Sequence, residues 1–154
     1  MAMTVELPGA EDGGFMKPRF TCDGDNVSPE VRWSDLPDGT KSLILIAEDP
    51  DAPLMTFVHW VIYNIPPESK GLSENQPRDK VTPQGYAQGL GGFRKTGYMG
   101  PCPPGSKPHR YFFKLYATSL APTLKEGLGK RDLEKLMKGH LIEATEVMLK
   151  YGRK

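Results

Sequence analysis

Apolar residues follow the spacing of β-strands in three stretches of the chain. These are residues 41–47, 56–65 and His109–Thr118. Residues 43–47 are apolar on both faces, which is typical of a central strand covered on each side. Residues 31–33 predict a further short strand. Because the Asp38-Gly39 pair that follows it tolerates the positive φ of a tight turn, we predict a hairpin from residue 31 to residue 47.

The last part of the chain has a different spacing. From about residue 130 to residue 151, apolar residues recur every three or four positions, and Asp132 and Glu134 suit the positive end of a helix dipole. We therefore predict one amphipathic helix at the end of the chain. Residues 66–108 are rich in glycine and proline, and so long a loop favours function. We expect its last part, residues 97–105, to form a pocket rim.

Length and charge limit the classes of function. The chain has 154 residues, which suits a single domain over residues 1–154, and 20 Lys and Arg against 19 Asp and Glu leave a net charge of +1. This balance argues against nucleic acid as a partner. Because the sequence contains neither a cationic leader before an apolar stretch nor a membrane-spanning run, we expect a cytoplasmic protein.

Two cysteines, Cys22 and Cys102, lie far apart in the sequence. They are plain buried thiols, or they form one bridge, which intracellular proteins of thermophiles tolerate. A single bridge is too few for a disulfide scaffold, and we expect no essential redox role.

Four polar side chains sit at strand ends or on strand faces beside apolar residues: Asp49, His59, His109 and Tyr111. Two imidazoles and a phenol can donate hydrogen bonds to an oxyanion, and a carboxylate beside one imidazole would fix its tautomer or favour its protonated form. Asp49 and Asp51 also have an alternative role, because an aspartate before proline commonly caps a turn. If the four side chains meet, the pattern indicates a pocket for a phosphate-like anion.

Catalysis is the less favoured interpretation. An enzyme would use His59 as a general base with Asp49 orienting it, yet the sequence has no Gly-x-Ser-x-Gly elbow and no evident serine partner. Residues 89–92 lack the third glycine of a dinucleotide loop and the Gly-Lys-Ser/Thr ending of a phosphate loop. The spacing of His59, His109 and Cys102 matches no compact metal motif, so we expect no metal and no cofactor.

Several motifs together resemble those of the phosphatidylethanolamine-binding proteins, the family that includes the Raf-kinase inhibitor proteins and plant flowering regulators. They are Asp-Pro-Asp-Ala-Pro at residues 49–53, Phe-Val-His-Trp at 57–60, Gly-Tyr-Met-Gly-Pro-Cys-Pro-Pro at 97–104 and Pro-His-Arg-Tyr at 108–111. The order and spacing are similar to the bacterial and archaeal branch. Gly91-Gly92 replaces the Asn-Asp usual there, and Arg94 and Met99 stand where glycine is common.

The resemblance implies a mostly β fold, an antiparallel β-sandwich with a C-terminal α-helix and short peripheral helices. It also implies a small cavity at one end that holds phosphate, acetate or a phosphoethanolamine head group. The residues expected to bind the ligand are Asp49, His59, Gly100, Pro101, His109 and Tyr111. Those expected to support them are Asp51, Pro53, Trp60 and Cys102. By the same resemblance Pro53 follows a cis bond, and Arg110 faces away from the cavity.

The predicted function is therefore non-catalytic binding of phosphate-like anions or phospholipid head groups. The alternative implied by the family is inhibition of a serine protease or modulation of a kinase through exposed loops. The Leu54-Met55 turn or the loops of residues 66–96 could supply such a segment. A homodimer is a further expectation that rests on relatives alone, and the sequence does not choose the physiological ligand.

Overall fold

The computed structural model describes residues 2–153. It contains eight β-strands, one α-helix and a 3₁₀ turn at Pro18–Phe20. The elements are β1 (Thr4–Glu6), β2 (Val31–Ser34), β3 (Ser42–Asp49), β4 (Phe57–Ile65), β5 (Gly71–Leu72), β6 (Ala87–Gln88), β7 (His109–Thr118), α1 (Lys130–Met137) and β8 (Leu141–Tyr151). The mostly β fold predicted from the sequence is confirmed, and no helix in this part of the chain is long and apolar enough to cross a bilayer.

The strands form two antiparallel sheets. The larger has the order β6-β4-β3-β7-β8, and the smaller has the order β1-β2-β5. Every residue of β3 is buried, as expected for the central strand of the larger sheet. One face of that sheet packs against the smaller sheet around residues such as Leu45, Trp60 and Phe113, which we call the inner core. The opposite face packs against α1 around Ile46, Tyr63 and Leu133 in the outer core.

The predicted hairpin between residues 31 and 47 is wrong. β2 pairs with β1 and β5 in the smaller sheet, whereas β3 pairs with β4 and β7 in the larger one. The turn at Asp38-Gly39 does form, with Gly39 at a φ of 87°, but it carries the chain from one sheet to the other. Burial explains why the two strands join different sheets. β2 is exposed on alternate residues, whereas β3 is covered on both faces.

The long C-terminal helix is also wrong. α1 ends at Met137, Gly139 follows with a φ of 79°, and residues Leu141–Tyr151 form β8. The apolar residues near the end fit a period of two as well as a helical period, since Val147, Leu149 and Tyr151 alternate with less buried residues. Pairing with β7 along nearly the whole length of β8 decides between them.

Candidate functional site

The antiparallel order of the larger sheet brings three strand ends to one edge. The last residue of β3, Asp49, pairs with Phe57, the first residue of β4, and the preceding residue, Glu48, pairs with Phe112 near the start of β7. Asp49, His59, His109 and Tyr111 line the same cavity, which has a volume of about 180 Å³. The four side chains named from the sequence are therefore together in space. The rest of the lining consists of Ala52, Pro53, Phe57, Phe93, Met99, Gly100, Cys102, Pro103 and Pro104.

A β-bulge in β4 directs His59 into this cavity. Ala47 pairs with Trp60 and Glu48 pairs with Val58, so His59 is the extra, unpaired residue of the bulge. If β4 alternated regularly, His59 would share a face with Val61 and Tyr63. Those two residues lie in the outer core, and the bulge instead turns His59 toward the inner side of the sheet.

Asp49 caps the turn after β3 and also contacts an imidazole. Its Oδ2 lies 2.7 Å from Nδ1 of His109, and its Oδ1 accepts a hydrogen bond of 2.7 Å from the backbone N–H of Asp51. The carboxylate is buried and thus caps the turn after β3 while it orients the imidazole. Because the carboxylate accepts from Nδ1–H, Nε2 is the ring nitrogen of His109 that remains for a ligand.

His59 is fixed in a similar way by the opposite wall of the cavity. Its Nδ1 lies 2.6 Å from the carbonyl oxygen of Met99, so Nδ1–H donates and Nε2 remains for a ligand. Burial lowers the pKa of His59 below its ordinary value, and the hydrogen bond to Met99 opposes this only in part. Burial therefore favours the neutral form, whose Nε2 accepts a hydrogen bond.

Tyr111 packs close to both imidazoles. Its ring centroid is 5.3 Å from that of His59, edge to face, and 6.4 Å from that of His109, nearly parallel. Burial, with a further contribution from the charge of Asp49, raises the pKa of Tyr111 above its ordinary value. The phenol consequently stays protonated and serves as a hydrogen-bond donor at neutral pH.

The loop wall of the cavity is held to a distant segment of the chain. The N–H of Gly100 donates to Oδ1 of Asn26 at 2.8 Å, and the N–H of Cys22 donates to the carbonyl oxygen of Pro101 at 3.1 Å. Cys22 and Cys102 form a disulfide, which settles the alternative that the sequence left open. A Cβ on Gly100 would clash with the carbonyl oxygen of Phe20, so only glycine fits this approach.

The residues expected to support the site divide into two groups. Pro53 and Cys102 line the cavity. Asp51 does not, because it forms a two-point ion pair with Arg110, with both distances 2.9 Å, and this guanidinium lowers the pKa of Asp51 to about 2. Trp60 is fully buried and donates from Nε1 to Gln88. Asp51 and Trp60 thus lie outside the cavity lining.

Two details differ from the expectations. Pro101 lines a small void beneath His59 and Tyr111 rather than the main cavity. The expected cis bond before Pro53 is absent, since no peptide bond in residues 2–153 is cis. The chain reverses instead through Leu54, whose φ is 76°, and this positive angle provides the turn.

Sequence reasoning missed part of the site. Phe57 and Phe93 pack edge to face at the cavity mouth, with centroids 4.6 Å apart, and Asn26 braces Gly100. Phe57 was detectable, because it lies two residues before His59 on the same strand. Phe93 and Asn26 lie in irregular loops, where no periodicity indicates which way a side chain points.

The comparison with known families identifies the fold. Residues 7–152 match the sequence model of the family described as phosphatidylethanolamine-binding protein. The chain belongs to this family. It is similar to the UPF0098 protein of Methanothermobacter thermautotrophicus, at 44% identity over 98% of this chain and 99% of that protein. Over 87% of this chain and 79% of the relative, it is also 44% identical to the UPF0098 protein of Aquifex aeolicus.

Solved structures show the same similarity. A phosphatidylethanolamine-binding protein homologue from Chlamydia trachomatis has a TM-score of 0.90 and 34% identity, with 99% of both chains covered. YbcL of Escherichia coli also has a TM-score of 0.90, with 30% identity and the same coverage. The predicted family and sandwich fold are confirmed, and membership of the family supports a binding protein that is not an enzyme.

Proposed function

We propose that this chain binds a small anionic group, a phosphate or the phosphate of a phospholipid head group, in the cavity lined by Asp49, His59, His109 and Tyr111. The observation that carries the proposal is that both imidazoles are oriented in the same way by hydrogen bonds at Nδ1. In each ring Nδ1 is bound to a fixed protein acceptor, Met99 O or Asp49 Oδ2, and Nε2 remains for a ligand. Because the phenol of Tyr111 is close to both rings and lines the same cavity, three polar groups border one small space.

The size and lining of the cavity support a head group rather than a whole lipid. Its volume of about 180 Å³ is below the roughly 300–1,000 Å³ of sites for drug-sized ligands. The lining contains no serine, threonine or lysine, and Cys102 is bound in the disulfide, so it offers no serine, threonine, lysine or cysteine nucleophile beside the imidazoles. Binding without chemical turnover is the function that this set of side chains favours.

The three histidines of the chain allow a direct test. In a ¹H–¹⁵N spectrum of the imidazole nitrogens, inorganic phosphate and phosphoethanolamine should shift the signals of His59 and His109. The signal of His140, which is exposed and bound to Ser119, should not move. Calorimetry should show at least tenfold weaker binding for His59→Ala and for His109→Ala, and unchanged binding for His140→Ala. Equal binding by all three variants would contradict the proposal.

Protease inhibition through the Leu54-Met55 turn takes second place. An inhibitory segment must present an extended backbone to a protease cleft, and the chain bends at Leu54 with a φ of 76°. Kinase modulation and the homodimer stay predictions, as does the cytoplasmic location. The disulfide fits a reducing compartment only under the exception known for thermophiles.

A further inference from the structure

A second cavity opens at the edge of the inner core. It has a volume of about 150 Å³ and shares no lining residue with the cavity around His59 and His109, which we now call the first cavity. Its floor is formed by Leu7, Met16 and Leu149, which are buried members of the inner core. Because these side chains are apolar, the second cavity favours a ligand whose body is apolar.

The segment of residues 12–16, which we call the strap, forms one side of the second cavity. It lies along the end of β8, where the N–H of Met16 donates to the carbonyl oxygen of Lys150 at 2.8 Å and the N–H of Lys150 donates to that of Gly14 at 2.8 Å. This pairing holds Phe15 at the rim, where its ring is 64% exposed. An aromatic ring at the rim of an apolar cavity loses contact with water when a ligand binds beside it.

The volume limits the size of the ligand. An apolar protein cavity of about 150 Å³ accommodates benzene, and the second cavity has the same volume. The body of the ligand is therefore no larger than one six-membered ring or a hydrocarbon chain of similar bulk. Because Phe15 and Lys17 are exposed residues of the lining, a substituent on that body can reach the solvent between them.

The charge at the rim selects the substituent. Glu30 and Glu74 line the second cavity, and each forms an ion pair with an arginine. Lys17 lines it too, but joins none of the ion pairs formed within residues 2–153. Its Nζ lies 4.0 Å from the position that a Cβ on Gly9 would take, so the ammonium group lies over the cavity wall. The second cavity thus offers one uncompensated positive charge, which favours a carboxylate.

We propose that the second cavity binds a small apolar carboxylate. The hydrocarbon body packs on Leu7, Met16 and Leu149, and the carboxylate pairs with Lys17. This inference does not rest on the function proposed for the first cavity. Within residues 2–153, Met16 alone lines both the second cavity and the small void beneath His59 and Tyr111, so its side chain separates the two sites.

Phenylacetate is a suitable probe, because it combines one ring with one carboxylate. In a ¹H–¹³C spectrum of labelled methionine methyl groups, it should shift the signal of Met16 and leave that of Met99, which lines the first cavity. Its Kd should be on the order of 5 mM or tighter, as expected for a ligand of this size. Phenylacetamide, which is similar in shape but uncharged, should bind about two- to fivefold more weakly, and 2-phenylethylammonium more weakly still.

Two variants with matched controls test the assignment. Lys17→Gln should weaken phenylacetate binding about two- to fivefold and remove the preference over phenylacetamide, whereas Lys41→Gln, at another exposed lysine, should have no effect. Ala10→Leu should weaken binding about tenfold or more, because the larger side chain occupies the space of the ring. Ala121→Leu, at an exposed alanine outside the second cavity, is its control. If both test variants bind phenylacetate as tightly as their controls, the inference is wrong.

Inorganic phosphate distinguishes this inference from the proposed function. Saturating phosphate, or the substitution His59→Ala, should leave the affinity for phenylacetate unchanged. Displacement of phenylacetate by phosphate, with a shift at Met99 instead of Met16, would place the probe in the first cavity and overturn the inference, as would the absence of binding up to about 50 mM. Failure of the proposed function alone would appear as no phosphate-induced shift at His59 and His109 while phenylacetate still shifts Met16.

Discussion

Removal of the disulfide should destabilise the chain by several kcal/mol. Cys22 and Cys102 are 80 residues apart, and closing a loop of that length in the unfolded chain corresponds to an entropy of roughly 15 cal/mol/K, or about 4.5 kcal/mol at 25 °C. The loop wall keeps its hydrogen bonds from Gly100 to Asn26 and from Cys22 to Pro101 without the bridge. We therefore expect Cys22→Ser/Cys102→Ser to fold with a free energy of unfolding lower by about 3–4.5 kcal/mol.

Denaturant and thermal unfolding measure this loss. For a domain of this size, a loss of 3–4.5 kcal/mol lowers Tm by very roughly 6–18 °C. Reduced wild-type protein should unfold like the double variant, because both lack the same constraint on the unfolded chain. A change in the free energy of unfolding below about 1 kcal/mol would refute the loop-closure reasoning. The free energy of phosphate binding should change by less than the free energy of unfolding, since the loop wall retains its other hydrogen bonds.

Three other predictions concern the cavity. Burial holds the pKa of His59 below its usual value, whereas a bound anion favours the imidazolium, so binding of sulfate should be accompanied by uptake of a proton. The affinity for sulfate should therefore fall as pH rises, by up to about tenfold per pH unit. Identical binding heats in buffers of different ionisation enthalpy would contradict this. Gly100→Ala should lower the free energy of unfolding by about 1–3 kcal/mol and weaken phosphate binding. The control Gly129→Ala, whose Cβ would meet nothing closer than 3.8 Å, should lower the free energy of unfolding by less than about 1 kcal/mol. Asp49→Asn should reduce phosphate affinity about ten- to a hundredfold by calorimetry, because the charged hydrogen bond to His109 is worth roughly 1.5–3 kcal/mol. Undiminished affinity would exclude Asp49 as the residue that orients the imidazole.

The larger sheet was predictable where one pattern of residues had one interpretation. The apolar run at residues 43–47 is typical of a strand covered on both sides, and β3 is that strand. The segment of β8 was not predictable, because its apolar residues satisfy two periods and the pairing with β7 decides between them. The hairpin failed for a similar reason, since a turn sequence does not determine which sheet receives the next strand.

The candidate site was predictable in its members but not in its geometry. Residue type and motif spacing indicated Asp49, His59, His109 and Tyr111, whose functional roles stay a proposal. The bulge at His59 depends on the register between β3 and β4, and no residue type in the sequence predicts it. The phenylalanine at position 93 reaches the mouth from a loop whose path depends on tertiary contacts.

The unpaired residue of β4, His59, lines the cavity but takes no part in the pairing between β3 and β4. Since the hydrogen-bonded partners of β3 on either side of the bulge are Trp60 and Val58, the ladder does not rely on the imidazole between them. The side chain at position 59 can therefore be exchanged to alter what the cavity accepts while the sandwich keeps its strand pairing. If the cavity binds the proposed anion, its ligand preference can change without a change in strand pairing.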